Sequence, residues 1–147
     1  FLDPIVSGEV VLPMSDVLIP FVDADDIAEV ASKVLLEDTY NGEIIELNGP
    51  ELITFRDVVD IISKVSKRDL NFIEISLEHY IEGMKQMQIP NDLVWLIEYL
   101  FSHVLTNPKN QLIVNDIERI LGRKAKTFSQ YAQETTKTGI WNQVVFQ

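Results

Sequence analysis

The chain has 147 residues, and 12 basic against 23 acidic side chains leave a net charge of −11 with histidine neutral. Hydrophobic residues at 46% and charged residues at 24% describe an ordinary globular chain of one-domain length, not a disordered one. The acidic balance excludes a nucleic-acid footprint and disfavours an anionic membrane surface, and the absence of cysteine excludes disulfides, thiolate metal sites and a cysteine nucleophile. A cysteine-free chain fits a reducing cytosol. The opening Phe1-Leu2-Asp3-Pro4 carries no basic region of a signal peptide. No apolar run reaches the roughly 18 residues of a membrane span. The first methionine is Met14, so a chain that opens on Phe1-Leu2 and runs straight into an apolar segment reads as a piece of something longer.

Glu9 to Leu12 (EVVL) and Val17 to Val22 (VLIPFV) are short β-branched runs that predict strands, the second interrupted or at an edge because of Pro20. Ile27, Ala28, Ala31, Val34 and Leu35 then recur at helical spacing, with Asp23 or Asp25 as the N-cap and Asn41-Gly42 as the stop. Ile44 to Leu47 predicts a strand that ends at Asn48-Gly49-Pro50. A second helix opens on Thr54-Phe55-Arg56-Asp57, a capping box with Asp in place of Glu, and carries a stripe of Phe55, Val58, Val59, Ile62 and Val65. Leu70 to Ile75 alternates as a half-buried strand should. Ser76 caps a third helix to about Gln88, and Pro90 with Asn91-Asp92 opens a fourth, from Leu93 to about Leu105. Asn115 caps the short helix DIERIL, stopped by Gly122, and Thr127-Phe128-Ser129-Gln130 is a full capping box for a last helix. The tail from Ile140 to Gln147 predicts a further strand or loose packing. The fold class is therefore α/β, few short strands followed by a mainly helical second half; as an isolated piece it amounts to α+β.

The chemistry that is missing narrows the function. The six glycines (Gly8, Gly42, Gly49, Gly83, Gly122 and Gly139) stand far apart, so neither a dinucleotide fingerprint nor a P-loop is present. No tyrosine is followed by lysine four residues on. His79 and His103 are the only imidazoles, with no ligating carboxylates at a suitable spacing, and no Ser-His-Asp arrangement has local support. No catalytic, cofactor-binding or metal residue is assigned on this basis. Asp23, Asp25 and Asp26 invite a calcium or general-base reading, but an acidic first turn with one capping member is the simpler account. His79 reads as exposed, and His103 as a helix-end residue favoured by the dipole. Arg119, Arg123, Lys124 and Lys126 read as a solvated basic face.

The run Leu93 to Leu105 is apolar around nearly its whole circumference. It is either a core helix buried on several sides or one wall of a hydrophobic cleft. Trp95, Tyr99 and His103 lie at i, i+4 and i+8, so they share one face and offer flat surfaces with polar tips. Met84 and Met87, with Tyr80, make an adaptable apolar face that is either core or the cleft's second wall.

Three stretches, PFVDADDIAEVASKVLLED, IIELNGPELITFRDVVDIISKVSKRDLNFIEISLEHY and NDIERILGRKAKTFSQYA, resemble in order and spacing the C-terminal part of NmrA-like proteins, atypical members of the short-chain dehydrogenase/reductase superfamily. The resemblance runs from about Val17 to Ala132. It implies that residues 1–147 form a single substrate-side domain whose Rossmann, NAD(P)-binding half is absent. The parent it implies binds NADP or NAD and either reduces a quinone or similar acceptor or, alternatively, senses the nucleotide and regulates a protein partner. Asp23 and Asp26 match the family's strand-to-helix junction, and Asn48 and Gly49 match its turn. For Tyr80, Met84, Trp95 and Tyr99 the resemblance implies a general region, the variable helical layer over the substrate; with His103, which shares the face of Trp95 and Tyr99, they are the expected pocket for a small hydrophobic or ring-shaped ligand. Strands that normally extend a Rossmann sheet would leave bare edges and an apolar face, so the piece by itself is expected to self-associate, without nucleic-acid or membrane partners, in the cytoplasm.

Overall fold

The structure is a computed structural model and describes residues 2–142. Nine regular elements follow in order: α1 (Leu2–Ser7), β1 (Glu9–Leu12), α2 (Ala24–Leu36), α3 (Phe55–Ser66), β2 (Asn71–Glu74), α4 (Leu77–Gln86), α5 (Asn91–Tyr99), α6 (Asp116–Leu121) and α7 (Phe128–Lys137). The α/β expectation holds: a small parallel sheet is set among helices. Its two strands pair in register, Glu9 opposite Asn71 through Leu12 opposite Glu74. β1 turns Val10 and Leu12 into the core.

The helix starts follow the sequence closely. The Asp23 carboxylate accepts from Asp25 N–H at the head of α2. Thr54 and Asp57 close a reciprocal capping box on α3, and Thr127 and Gln130 close another on α7. Ser76 caps α4 through His79 N–H. Asn115 makes no side-chain cap, although α6 does end at Gly122 with φ 70°. Before β1, a turn of helix at Leu2–Ser7 stands where the sequence predicted none.

Two predicted strands do not form ladders. The segment 17–22 makes only one antiparallel bridge, in which Ile19 and Ile53 exchange N–H···O bonds of 2.9 and 3.2 Å. Pro20 follows at once, and its missing N–H stops the ladder. Residues 44–47 likewise pair with no strand. Glu46 N–H donates instead to the Asp116 carboxylate at 3.0 Å, and Ile44 is fully open to solvent. α2 stops at Leu36, before the predicted Asn41-Gly42, and a 3-10 turn at Asp38–Tyr40 intervenes. A 3-10 turn at Ile140–Asn142 begins the tail, and the remainder of the expected tail strand, residues 143–147, lies outside the described residues, as does Phe1.

Two apolar clusters hold the fold. The larger joins α1, β1, α3, α7, Phe101 and Trp141, with α3 packed chiefly on α7. The smaller joins Val30 of α2 to Ile117 and Ile120 of α6. Arg68 staples the ends, its guanidinium donating to the Val6 carbonyl at 2.6 Å and to the Trp141 carbonyl.

Candidate functional site

The helix read as all-round apolar is covered on one side only. α5 buries Val94, and the π-helical turn that continues it (Leu100–Val104) buries Phe101, while Trp95, Leu96 and Tyr99 face outward. The wider turn is closed by Leu105 N–H donating to the Leu100 carbonyl at 2.9 Å. On the outer face three rings stack in line. Trp95 and Tyr99 have centroids 5.5 Å apart and planes 14° apart; Tyr99 and His103 follow at 5.1 Å and 12°. Trp95 stays 62% exposed, although such a side chain ordinarily seeks burial. His103 is fixed from beneath by Ser102, whose hydroxyl lies 2.6 Å from Nδ1. That hydroxyl also donates to the Glu98 carbonyl one turn earlier, at 2.6 Å.

The other two predicted pocket residues sit on α4. Tyr80 turns inward, edge-on to Phe101 at 5.9 Å, and burial raises its hydroxyl pKa above the ordinary value. Met84 is half-buried, while Met87 is largely exposed. Thus Trp95, Tyr99 and His103 form one array, and Tyr80 belongs to the layer beneath it. His79 is exposed.

A second feature is an apolar cavity of about 440 Å³ between α1, β1, α3 and α7. Phe21, Phe55, Phe128, Tyr131 and Trp141 supply its aromatic walls, and Thr135 is among its few polar neighbours. The rings of Phe21 meet those of Phe55 and Phe128 edge-on at 5.5 and 5.8 Å. No spacing rule links these residues, because they come from separate elements and each reads singly as core.

The acidic start of α2 proves to be an electrostatic knot. Asp26 is wholly buried and accepts from Lys126 N–H at 2.7 Å. Its other oxygen lies 2.8 Å from Arg123 Nη2, a charge contact without hydrogen-bond alignment. Arg123 also pairs with Glu29. Lys126 reaches Glu134 at 2.9 Å and Asp23 at 3.3 Å, and those carboxylates, Glu134 first, hold its ammonium well above the usual lysine range. Arg119 pairs with Asp116 and Glu43. The basic cluster is therefore no merely solvated face: three of its four members pair with carboxylates, two of them tying α2 to the segment before α7. The helical phase of Asp26 with Val30 and Val34 is the sequence signal for its burial.

The Asn48-Gly49 turn is equally built. Asn48 accepts from Val114 N–H at 3.1 Å and donates to the Leu112 carbonyl at 2.6 Å, while Gly49 lies flat against the Phe21 backbone. Among the described residues no group of three or more metal-ligating side chains is gathered, and no helix is long and apolar enough to cross a membrane. Among the described residues no glycine opens a helix after a strand, the position from which a pyrophosphate is ordinarily cradled.

No model of a known family matches the chain. It is 25% identical over 129 residues to the NAD(P)H azoreductase of Xenophilus azovorans, a match covering 86% of this chain and 44% of that protein. The triphenylmethane reductase of Citrobacter sp. shares its fold with a TM-score of 0.75 at 16% identity, over 92% of this chain and 46% of that one. The NADPH-dependent quinone oxidoreductase of Escherichia coli does so at 0.74 and 17%, over 90% and 48%. The chain thus spans about half the length of the proteins it matches, and it has the fold of part of an NAD(P)H-linked reductase. Within that class, the matches bear out the resemblance to the C-terminal part of an NmrA-like atypical short-chain dehydrogenase/reductase.

Proposed function

We propose that residues 1–147 are the substrate-side domain of an NAD(P)H-dependent oxidoreductase acting on a quinone or similar ring-shaped acceptor, and that the chain alone does not transfer hydride. The observation that carries this reading is the exposed stack of Trp95, Tyr99 and His103 on a chain that matches about half the length of an azoreductase. In this reading the dinucleotide, NADP or NAD, is held by the other half and supplies the hydride. The present residues bind and orient the acceptor and exclude water. The ring stack presents a flat π surface matched to a planar acceptor. Tyr80 lies in the layer beneath, edge-on to Phe101. The regulatory alternative is less favoured, because the matches described are to reductases. A cytoplasmic setting suits a chain without cysteine.

The test is NADPH oxidation with a naphthoquinone by the longer protein. Trp95→Ala and Tyr99→Ala are expected to raise KM for the quinone about tenfold, the loss of one good ring–ring contact, with NADPH affinity unchanged. Hydride transfer by the 147-residue chain alone, or variants with an unchanged quinone KM, would overturn the reading.

A further inference from the structure

The pair Asn-Gly occurs at residues 41–42 and again at 48–49, and the fold treats the two copies in opposite ways. Chemically the pair is a weak point. Glycine carries no Cβ to shield its backbone nitrogen, so that nitrogen can reach the amide carbon of the preceding asparagine. Whether it does depends on how firmly the two groups are held.

At 48–49 both are held. Asn48 Oδ1 accepts from Val114 N–H at 3.1 Å, and its Nδ2 donates to the Leu112 carbonyl at 2.6 Å. Gly49 N–H donates to the Pro20 carbonyl at 3.0 Å, and the glycine is buried against the Phe21 backbone. Nucleophile and electrophile are each engaged elsewhere. At 41–42 they are not. Residues 40–43 form a type II turn, with Asn41 at φ −60°, ψ 122° and Gly42 at φ 81°, closed by Glu43 N–H donating to the Tyr40 carbonyl at 3.1 Å. Asn41 and Gly42 are both exposed. Gly42 N–H meets no acceptor among the described residues, and no atom beyond its chain neighbours stands within 4 Å of where its Cβ would be. The Asn41 amide has one exposed bond, its Nδ2 donating to the Asp38 carboxylate at 3.1 Å, which leaves the amide carbon open to attack.

We propose that Asn41-Gly42 is a site of spontaneous covalent modification, at which Asn41 is converted to aspartate and isoaspartate while Asn48 is preserved. The Gly42 nitrogen, on losing its proton, bonds to Asn41 Cγ, and the Cγ–Nδ2 bond breaks to release ammonia. Water then opens the five-membered imide. Cleavage of the new N–Cγ bond leaves aspartate. Cleavage of the older bond, to the Asn41 backbone carbonyl carbon, leaves isoaspartate, with the chain now running through the side chain. The net change consumes one water and exchanges an amide for a carboxylate. That carboxylate faces Asp38, the former hydrogen-bond partner, with like charge. Isoaspartate also lengthens the backbone inside the turn. It thereby displaces Tyr40 and Glu43, which hold Arg119 by a ring contact at 5.9 Å and an ion pair at 3.0 Å. The connection between α2 and the Asn48 turn is the part of the chain that ages first.

Both sites can be followed in one sample. The chain is kept at mildly alkaline pH, native and in concentrated urea, and is then cleaved after Glu43 and Glu46, which separate the two pairs. Peptide mass spectrometry reads the loss of each asparagine. In the native chain Asn41 is expected to be lost at least about tenfold faster than Asn48, and in urea the two rates should come within about twofold of each other. Isoaspartate is read independently by enzymatic methylation of its carboxylate, a signal that Asn41→Gln should nearly abolish in the native chain. Equal loss at the two sites without urea overturns the proposal. So does an Asn41 that survives in the native chain for as long as it takes to disappear in urea, or a methylation signal that Asn41→Gln leaves unchanged.

Discussion

Removing the Asp26 carboxylate should loosen the junction between α2 and the segment before α7. The side chain has no exposed surface, and its two oxygens meet Lys126 N–H at 2.7 Å and Arg123 Nη2 at 2.8 Å. A hydrogen bond to a charged group contributes about 1.5–3 kcal/mol, and an N–H left without an acceptor in the interior costs a comparable amount. The Arg123 contact adds little by comparison, since its side chain is 42% exposed and can return to water. Asp26→Ala is therefore expected to cost about 2–4 kcal/mol, and Asp26→Asn, which keeps an acceptor for Lys126 N–H, about half of that. At this chain length about 3 °C accompanies each kcal/mol, so the alanine variant should melt about 6–12 °C lower. Urea denaturation followed by circular dichroism at neutral pH measures the difference, and a double-mutant cycle with Arg123→Met isolates the charge contact. Should Asp26→Ala fall within about 0.5 kcal/mol of the parent, the assignment of Asp26 as a buried tie between these segments is wrong.

Gly49→Ala should be severe, because a Cβ there would lie 1.8 Å from the Phe21 carbonyl oxygen and 2.6 Å from its carbon, both backbone atoms. A loss of about 3 kcal/mol or more is expected in the same denaturation assay, and a near-neutral variant would contradict the crossing. In acid, Asp57 and Asp116 have pKa values held low, Asp57 chiefly by the Thr54 hydroxyl and Asp116 chiefly by Glu46 N–H. Their contribution is present above the ordinary carboxylate range of about 4 and is lost as pH falls below it through the lowered values. A pH series should thus show stability dropping below about pH 4, less steeply in Asp57→Asn. The short chain should self-associate weakly through its open apolar faces, more so as salt screens its charge, and Leu35→Lys should suppress this. Light scattering that reports a monomer at every concentration and salt would refute it.

What could be read from the sequence was local. The caps at Asp23, Thr54, Ser76 and Thr127 are set by hydrogen bonds within three residues, so the helix starts were legible. Residues 17–22 and 44–47 have strand composition, but a ladder needs a partner that composition does not reveal. One meets Pro20, and the other finds the Asp116 side chain. The ring stack followed from i, i+4 spacing, whereas the opposite placement of Tyr80 depended on how α4 packs on Phe101. The cavity was illegible because its walls converge from distant segments. Asp26 lay between these cases: its phase was visible, but its partners, the Arg123 guanidinium and the Lys126 backbone N–H, come from a distant part of the chain.

Arg68 holds the carbonyls of Val6 and Trp141 with one guanidinium, so the polypeptide's first helix and its last described turn are next-door neighbours. One side chain thus clamps two segments from opposite parts of the sequence, and Arg68→Met releases both at once.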